Sequence, residues 1–371
     1  MKTILQQLDI GDLSLNNRVA MAPVTRSRSG DDGVPTATNA EYYKQRASAG
    51  LIISEATNIS PMSAAFELAP GLYNDSQVNG WKLVSEAVHS VGGRIFAQLW
   101  HSGRVSSYAL LEGKEPISPS GMNEDIHALQ VYGAMRNGYY TRMAASPSRA
   151  MSVEEIYGVI HEFRVGARNA LRAGLDGVEI HAANGYLPQQ FLSPHVNRRT
   201  DQFGGSIENR ARFLRLVLEA VMETFPACRI GVRISPFALY NNALDPDPVT
   251  TYCHVTRLLN EYGIGYVHGA DTNAWGGAPD MDRIIQLIRT NYHGIFIANG
   301  GLSPEQAHAL VDGGQADMVA FGRQYIANPD LVERIASNGP YNIPDAFTFY
   351  GGGARGYTDY PRLDAEYQRV A

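Results

Sequence analysis

Hydrophobic and polar positions in this chain alternate between two periods. Short apolar runs of strand length are each followed by stretches in which apolar residues recur at three and four positions, the pattern of a helix with one buried face. Residues 19–24 read as a first strand and 38–49 as a helix stopped by Gly50. Residues 51–54 are a second strand, and Trp81, Val84, Val88 and Val91 mark the apolar face of a helix ending at Gly92-Gly93. Residues 94–100 are the third strand. From about 102 to 150 the pattern lapses into Ser, Gly, Pro and Asn, a stretch longer than connection requires, which reads as a lid or as decoration.

The alternation then resumes. Ser152-Val-Glu-Glu155 is a capping box opening a helix through Ile156, Ile160, Phe163 and Ala167. The fourth strand begins at Gly177 and ends in the polar cluster His181, Asn184 and Tyr186, with Gly185 permitting a sharp turn. A helix through Phe213, Leu216, Val217 and Val221 leads to strand five at 229–234, and helix 249–262 to strand six at 265–269. A helix bearing Ile284, Leu287 and Ile288 precedes strand seven at 294–298. Ser303-Pro304 opens the next helix, residues 318–321 form strand eight, and Asn328-Pro329 caps a last helix. Eight strand-then-helix units without a large linker predict a single (β/α)8 (TIM) barrel domain over 1–371, an α/β fold with 102–150 as an excursion inside it. A doubly wound open sheet is the alternative. The opening 8–15 alternates about a Gly-Asp turn and predicts a small β-hairpin capping the barrel.

Composition narrows the function. The 371 residues include 44% hydrophobic and 18% charged, and the net charge of -6 gives no broad basic field for nucleic acid or an anionic membrane surface. No signal-type segment opens the chain and no apolar run reaches membrane-spanning length, so a cytoplasmic protein is expected. Two cysteines, Cys228 and Cys253, supply neither a disulfide framework nor a metal pair, and no metal is expected.

Chemistry in such a barrel gathers where the strands end. There the sequence places Thr25, Glu55, Ala56, Gln98, Trp100, His101, His181 and Arg233. Arg233 alternates with apolar neighbours and points into the mouth, where it needs an electron-rich partner: either a ligand or a structural carboxylate such as Glu179. After strand seven comes Asn299-Gly300-Gly301, and after strand eight Gly322-Arg323. Backbone amides in these two loops with an adjacent arginine suit a phosphate-bearing ligand.

Longer motifs carry a resemblance. Asn17-Arg-Val-Ala-Met-Ala-Pro-Val-Thr-Arg26, Gln98-Leu-Trp-His-Ser-Gly-Arg104, His181-Ala-Ala-Asn-Gly-Tyr186, Arg199-Thr-Asp-Gln-Phe-Gly-Gly205, Ala320-Phe-Gly-Arg323 and Gly356-Tyr-Thr-Asp-Tyr-Pro361 fall in order along nearly the whole chain. The chain resembles the old yellow enzyme family of FMN-dependent ene-reductases, and within it the bacterial N-ethylmaleimide reductase and pentaerythritol tetranitrate reductase type. The resemblance implies bound FMN, with phosphate on Gly300, Gly301, Gly322 and Arg323 and with Pro23, Thr25, Ala56, Gln98, Arg233 and Asn299 around the flavin. It implies NADPH or NADH as reductant in a ping-pong cycle, and small activated alkenes as substrates. His181 and Asn184 would hold the activating oxygen, Tyr186 would give a proton to the α-carbon, and Phe66, Trp100, Trp275 and Tyr350 would wall the substrate pocket. A monomer or weak homodimer is expected.

Three departures stand out. Phe66 occupies a position where several relatives have tyrosine, Pro188-Gln189 replaces an aliphatic-acidic or aliphatic-histidine pair, and 102–150 matches poorly. A nitrate-ester or nitroaromatic reductase would use the same flavin site. Two readings from other classes compete: a flavin-free lyase or glycosidase with Glu55 and Glu179 as acid and base, and a non-enzymatic binding protein.

Overall fold

A computed structural model describes residues 3–30, 32–135, 139–275 and 279–363, with the backbone alone at 274 and 275. An antiparallel hairpin, β1 (Leu8–Ile10) with β2 (Leu13–Leu15), comes first. There follow β3 (Val19–Met21), α1 (Ala37–Gln45), β4 (Leu51–Asn58), α2 (Asp75–His89) and β5 (Ile95–Trp100). The excursion supplies β6 (Ile117–Ser118), β7 (Val131–Ala134), β8 (Tyr140–Met143) and β9 (Arg149–Ala150). The second half runs α3 (Val153–Arg172), β10 (Gly177–Ala182), α4 (Leu187–Leu192), α5 (Ile207–Met222), β11 (Ile230–Ile234), α6 (Pro248–Glu261) and β12 (Tyr266–Ala270). It ends with α7 (Met281–Asn291), β13 (Ile295–Asn299), α8 (Pro304–Asp312), β14 (Met318–Phe321), α9 (Arg323–Ala327) and α10 (Leu331–Ala336).

The eight parallel strands β3, β4, β5, β10, β11, β12, β13 and β14 close into a barrel, which rules out the open sheet. Period-two alternation sorts their side chains into two layers. Val19, Ile52, Ile95, Ala97, Val178, Val232, Val267 and Val319 pack outward against the helices. Ala20, Leu51, Ile53, Phe96, Tyr266, Ile297 and Met318 form a separate inner cluster, against which hairpin residues Ile10, Leu13 and Leu15 pack. Two residues further along the same faces, the inner layer becomes polar: Phe96 gives way to Gln98, Tyr266 to His268 and Ile297 to Asn299. The register sets Gln98 beside Glu179, His181 beside Arg233 and Arg233 beside His268. A ring of polar side chains therefore forms at the carboxyl ends before any loop contributes.

The caps follow the sequence signals. Ser152 and Glu155 bond reciprocally, with Ser152 N–H donating to Oε2 at 2.8 Å and Glu155 N–H to Oγ at 3.1 Å, and Ser303 caps α8 ahead of Pro304. Four details differ from the sequence reading. Val91 lies past the end of α2 and is exposed, because the helix stops at His89. The last helix takes Asp330 rather than Asn328 as its N-cap. Strand β4 runs four residues beyond Ser54, and a register shift between Ile53 and Ala56 inserts one extra residue opposite β5. The excursion is not irregular throughout: β7 and β8 form an antiparallel hairpin, and β6 pairs with β9. No helix among the described residues is long and apolar enough to cross a membrane.

Candidate active site

At the carboxyl ends of the strands lies a cavity of about 380 Å³, within the range of cofactor and ligand pockets. Fifteen of the expected site residues line it: Pro23, Thr25, Ala56, Phe66, Gln98, His181, Asn184, Tyr186, Arg233, Asn299, Gly300, Gly301, Gly322, Arg323 and Tyr350. The register shift in β4 is what seats Ala56 opposite Gln98 on this rim.

The turn after β10 supplies one half of the cavity. Asn184 takes a left-handed backbone (φ 58°), which asparagine tolerates better than most residues, and Gly185 follows at φ 73°. A Cβ at Gly185 would lie 2.6 Å from that of Asn241, so the turn packs directly on the segment after β11. Tyr186 is the N-cap of α4, which places Pro188 in the helix's first turn, where its missing N–H costs nothing. The Pro188 departure therefore leaves Tyr186 in the cavity wall. Its ring stands edge-on to His181 (5.0 Å, 84°) and to Trp100 (5.0 Å, 81°).

The electrostatics assign protons. Burial, reinforced by neighbouring Arg233, pushes the His181 pKa well below 6.5, so the ring is neutral at physiological pH. Its Nδ1 accepts from the Ala183 N–H at 3.3 Å, which leaves Nε2 as the N–H donor. Burial pushes the Tyr186 phenol far above its ordinary value of 10, with Tyr350 and Tyr132 adding to the shift, so it stays protonated. The Asn184 Oδ1 is buried without a protein partner among the described residues. The cluster thus offers two neutral hydrogen-bonding groups and one phenolic proton.

The other half is cationic and glycine-lined. Arg233 Nη2 donates to Asn299 Oδ1 at 2.9 Å, while its Nε is buried with no partner among the described residues. Its hydrogen-bonding partner is Asn299, not the structural carboxylate weighed from sequence. Glu179 instead accepts from Gln98 Nε2 at 2.7 Å and pairs with His268 Nδ1 at 2.9 Å. Gly300, Gly301 (φ 69°) and Gly322 line the cavity together with Arg323. A Cβ on Gly322 would meet only Val24, at 3.4 Å, so the absence of a side chain leaves room at that wall. An orphaned guanidinium N–H and a side-chain-free cradle with an arginine in one cavity fit a flavin nucleotide. Arg233 would face the electron-rich edge of its ring, and the glycine loops with Arg323 would face its phosphate.

Several residues do not take their expected places. Trp100 is fully buried behind Tyr186 and Phe66 and does not line the cavity, because β5 ends with its indole turned into the satellite core. The side chain of Trp275 lies outside the described residues. The carboxylate pair of the lyase or glycosidase reading is absent from the cavity. Glu55 is 1% exposed and accepts from the Arg26 and Ser27 amides at 2.9 and 3.2 Å, and Glu179 lies below the rim in the bonds just described. Sequence reasoning missed Tyr132, Tyr240, Asp271, Thr272, Ile326 and Phe349 in the wall. Tyr132 stacks with Phe66 (5.1 Å) and Tyr350 (5.7 Å), forming an aromatic side that clusters with Tyr186. The alternation of Val131-Tyr132-Gly133 was the available signal. Tyr350 is held by Arg26, whose Nε donates to the Phe349 carbonyl at 2.8 Å.

The buried histidines carry a stability prediction. Burial lowers the pKa of His101 to about 3 and those of His181 and His268 below 6.5. The unfolded chain binds these protons near pH 6.5 and the folded one does not. Stability is therefore full above about pH 6.5 and falls as pH drops toward 3, by up to roughly 1.4 kcal/mol per pH unit per histidine. Thermal melting should show a flat midpoint from pH 7 to 9 and a steep decline below 6. A midpoint that holds down to pH 4 would contradict the neutral assignment.

Fold and site together define a flavin-type oxidoreductase barrel, and comparison with known proteins places it. Residues 3–342 match the model of the NADH:flavin oxidoreductase / NADH oxidase family. The chain is 39% identical to putative 12-oxophytodienoate reductase 11 of Oryza sativa subsp. japonica over 98% of both proteins. It is 40% identical to a probable flavin mononucleotide-dependent alkene reductase of Leishmania infantum, over 96% of this chain and 97% of the relative. The solved structure of morphinone reductase superposes with a TM-score of 0.93 at 44% identity, over all of this chain and 99% of that one. The chain belongs to the old yellow enzyme family of FMN-dependent, NAD(P)H-oxidising reductases.

Proposed function

We propose that the protein reduces the C=C bond of alkenes conjugated to a carbonyl or nitro group, with Tyr186 as proton donor and His181 and Asn184 as the oxygen-binding pair. FMN held by Arg233 and the glycine loops would supply the redox chemistry, hydride transfer from NAD(P)H to the β-carbon of the alkene. The observation that carries the reading is the convergence of a neutral His181, the Asn184 amide and a protonated Tyr186 on one wall of the cavity that Arg233 and the glycine loops share.

Each residue then has a defined task. His181 Nε2–H and the Asn184 amide draw charge onto the activating oxygen, and this interaction strengthens as negative charge develops there. Tyr186 keeps its proton until the α-carbon becomes basic, then donates it. The aromatic side formed by Phe66, Tyr132 and Tyr350 excludes water and holds a flat substrate against the polar turn. Arg233 would stabilise negative charge on a flavin bound beside it.

Isotope tracing tests the reading. With nicotinamide deuterated at the transferring position and 2-cyclohexenone as acceptor, the label should appear at the β-carbon of cyclohexanone with the carbonyl intact. Label at a carbinol carbon would show carbonyl reduction and overturn the assignment.

A further inference from the structure

The residue at which the chain departs from the expected motif, Gln189, closes a buried hydrogen-bond ring under the polar turn. Asn184 N–H donates to Ser235 Oγ at 2.9 Å, and the Ser235 hydroxyl donates to Gln189 Oε1 at 3.0 Å. The same Oε1 accepts the Gly185 N–H at 2.8 Å, while Gln189 Nε2 donates to the Ser235 carbonyl at 3.1 Å. Gln189 is 3% exposed, Ser235 0% and Asn184 6%, so water does not compete for these bonds. On the other side Gln190 Nε2 donates to the Gly185 carbonyl at 2.8 Å and to the Ser102 carbonyl at 2.9 Å. Two successive glutamines of α4 therefore grip Gly185 at its N–H and at its carbonyl, tying the turn to the end of β11 and to the loop after β5.

We propose that Gln189 and Ser235 are positioning residues for Asn184, holding its left-handed backbone so that the amide meets the substrate oxygen alongside His181. The inference rests on the ligand role given to Asn184 above. Chemistry explains why a glutamine serves here. The ring needs one acceptor shared by an N–H and a hydroxyl, and one donor for a carbonyl, on a side chain long enough to reach back from the first turn of α4. A carboxylate supplies the acceptor but sets negative charge against the Ser235 carbonyl. An aliphatic side chain supplies neither. Ser235 directly follows the end of β11, two residues beyond Arg233, so the ring also fixes the turn relative to the strand that carries the guanidinium.

The test uses FMN-loaded wild type, Gln189→Leu, Ser235→Ala, the double variant and Gln189→Glu, each titrated with 4-chlorophenol, an enolate mimic, by the flavin's long-wavelength absorption. Gln189→Leu and Ser235→Ala should each weaken phenol binding about tenfold, the effect of a lost buried bond. The double should be no weaker than the worse single, because the ring is already open. Gln189→Glu, which keeps the shared acceptor but loses the donor to the Ser235 carbonyl, should bind phenol more weakly than wild type and more tightly than Gln189→Leu. FMN content and melting temperature report on folding, and Ser235→Ala, which removes only a hydroxyl, decides the matter if Gln189→Leu does not fold. Unchanged phenol affinity in variants that retain FMN, or effects that add in the double, would overturn the proposal. If wild type itself forms no phenol complex, the oxygen-binding reading fails instead, and the two failures are distinguishable.

Discussion

Replacing Tyr186 with phenylalanine is expected to slow alkene reduction by roughly two to four orders of magnitude, the usual worth of a positioned general acid. Flavin reduction by NADPH should change little, since a proton is required only when the α-carbon is saturated. The substitution keeps the ring that packs edge-on between His181 and Trp100, so the wall should hold its shape. Stopped-flow measurement of the two half-reactions separates the cases. Equal slowing of both would assign Tyr186 to binding or packing rather than proton transfer.

His181→Ala should cost about two to three orders of magnitude in the alkene step, by analogy with removal of one donor from an oxyanion site, and should weaken phenol binding. The reason lies in its protonation. Burial beside Arg233 keeps the ring neutral, so it donates from Nε2 without titrating, and the wild-type alkene step should be flat from pH 6 to 9. A histidinium donor would give a rate that falls as pH rises through about 6.5. That profile would contradict the assignment.

The barrel was legible because each strand and helix carries its own period, and both layers of each strand follow from alternation alone. The same parity exposed Arg233, and the paired glycine loops with Arg323 line the cavity where they were expected. What escaped was set by contacts distant in sequence. Glu55 and Glu179 have the residue type and strand position of catalytic acids, yet cross-strand bonds from Gln98 and His268 hold Glu179 below the rim, and amides 28 and 29 residues away occupy Glu55. Trp100 follows the parity of Gln98 and still turns away from the cavity. Tyr132 and Tyr240 reach it from segments whose placement depends on long-range packing, including the bridge of Tyr132 to Phe66. The Pro188-Gln189 departure supplies the side chain that bonds Gly185 and Ser235 under the turn, contacts the sequence alone does not show.

The reoxidation step tests the central claim most directly. Enzyme bleached anaerobically with one equivalent of NADPH should regain its yellow colour when mixed with 2-cyclohexenone, at a rate that saturates with alkene concentration and with one equivalent of cyclohexanone formed. Flavin that stays bleached in excess enone, yet is reoxidised by a nitrate ester, would contradict it.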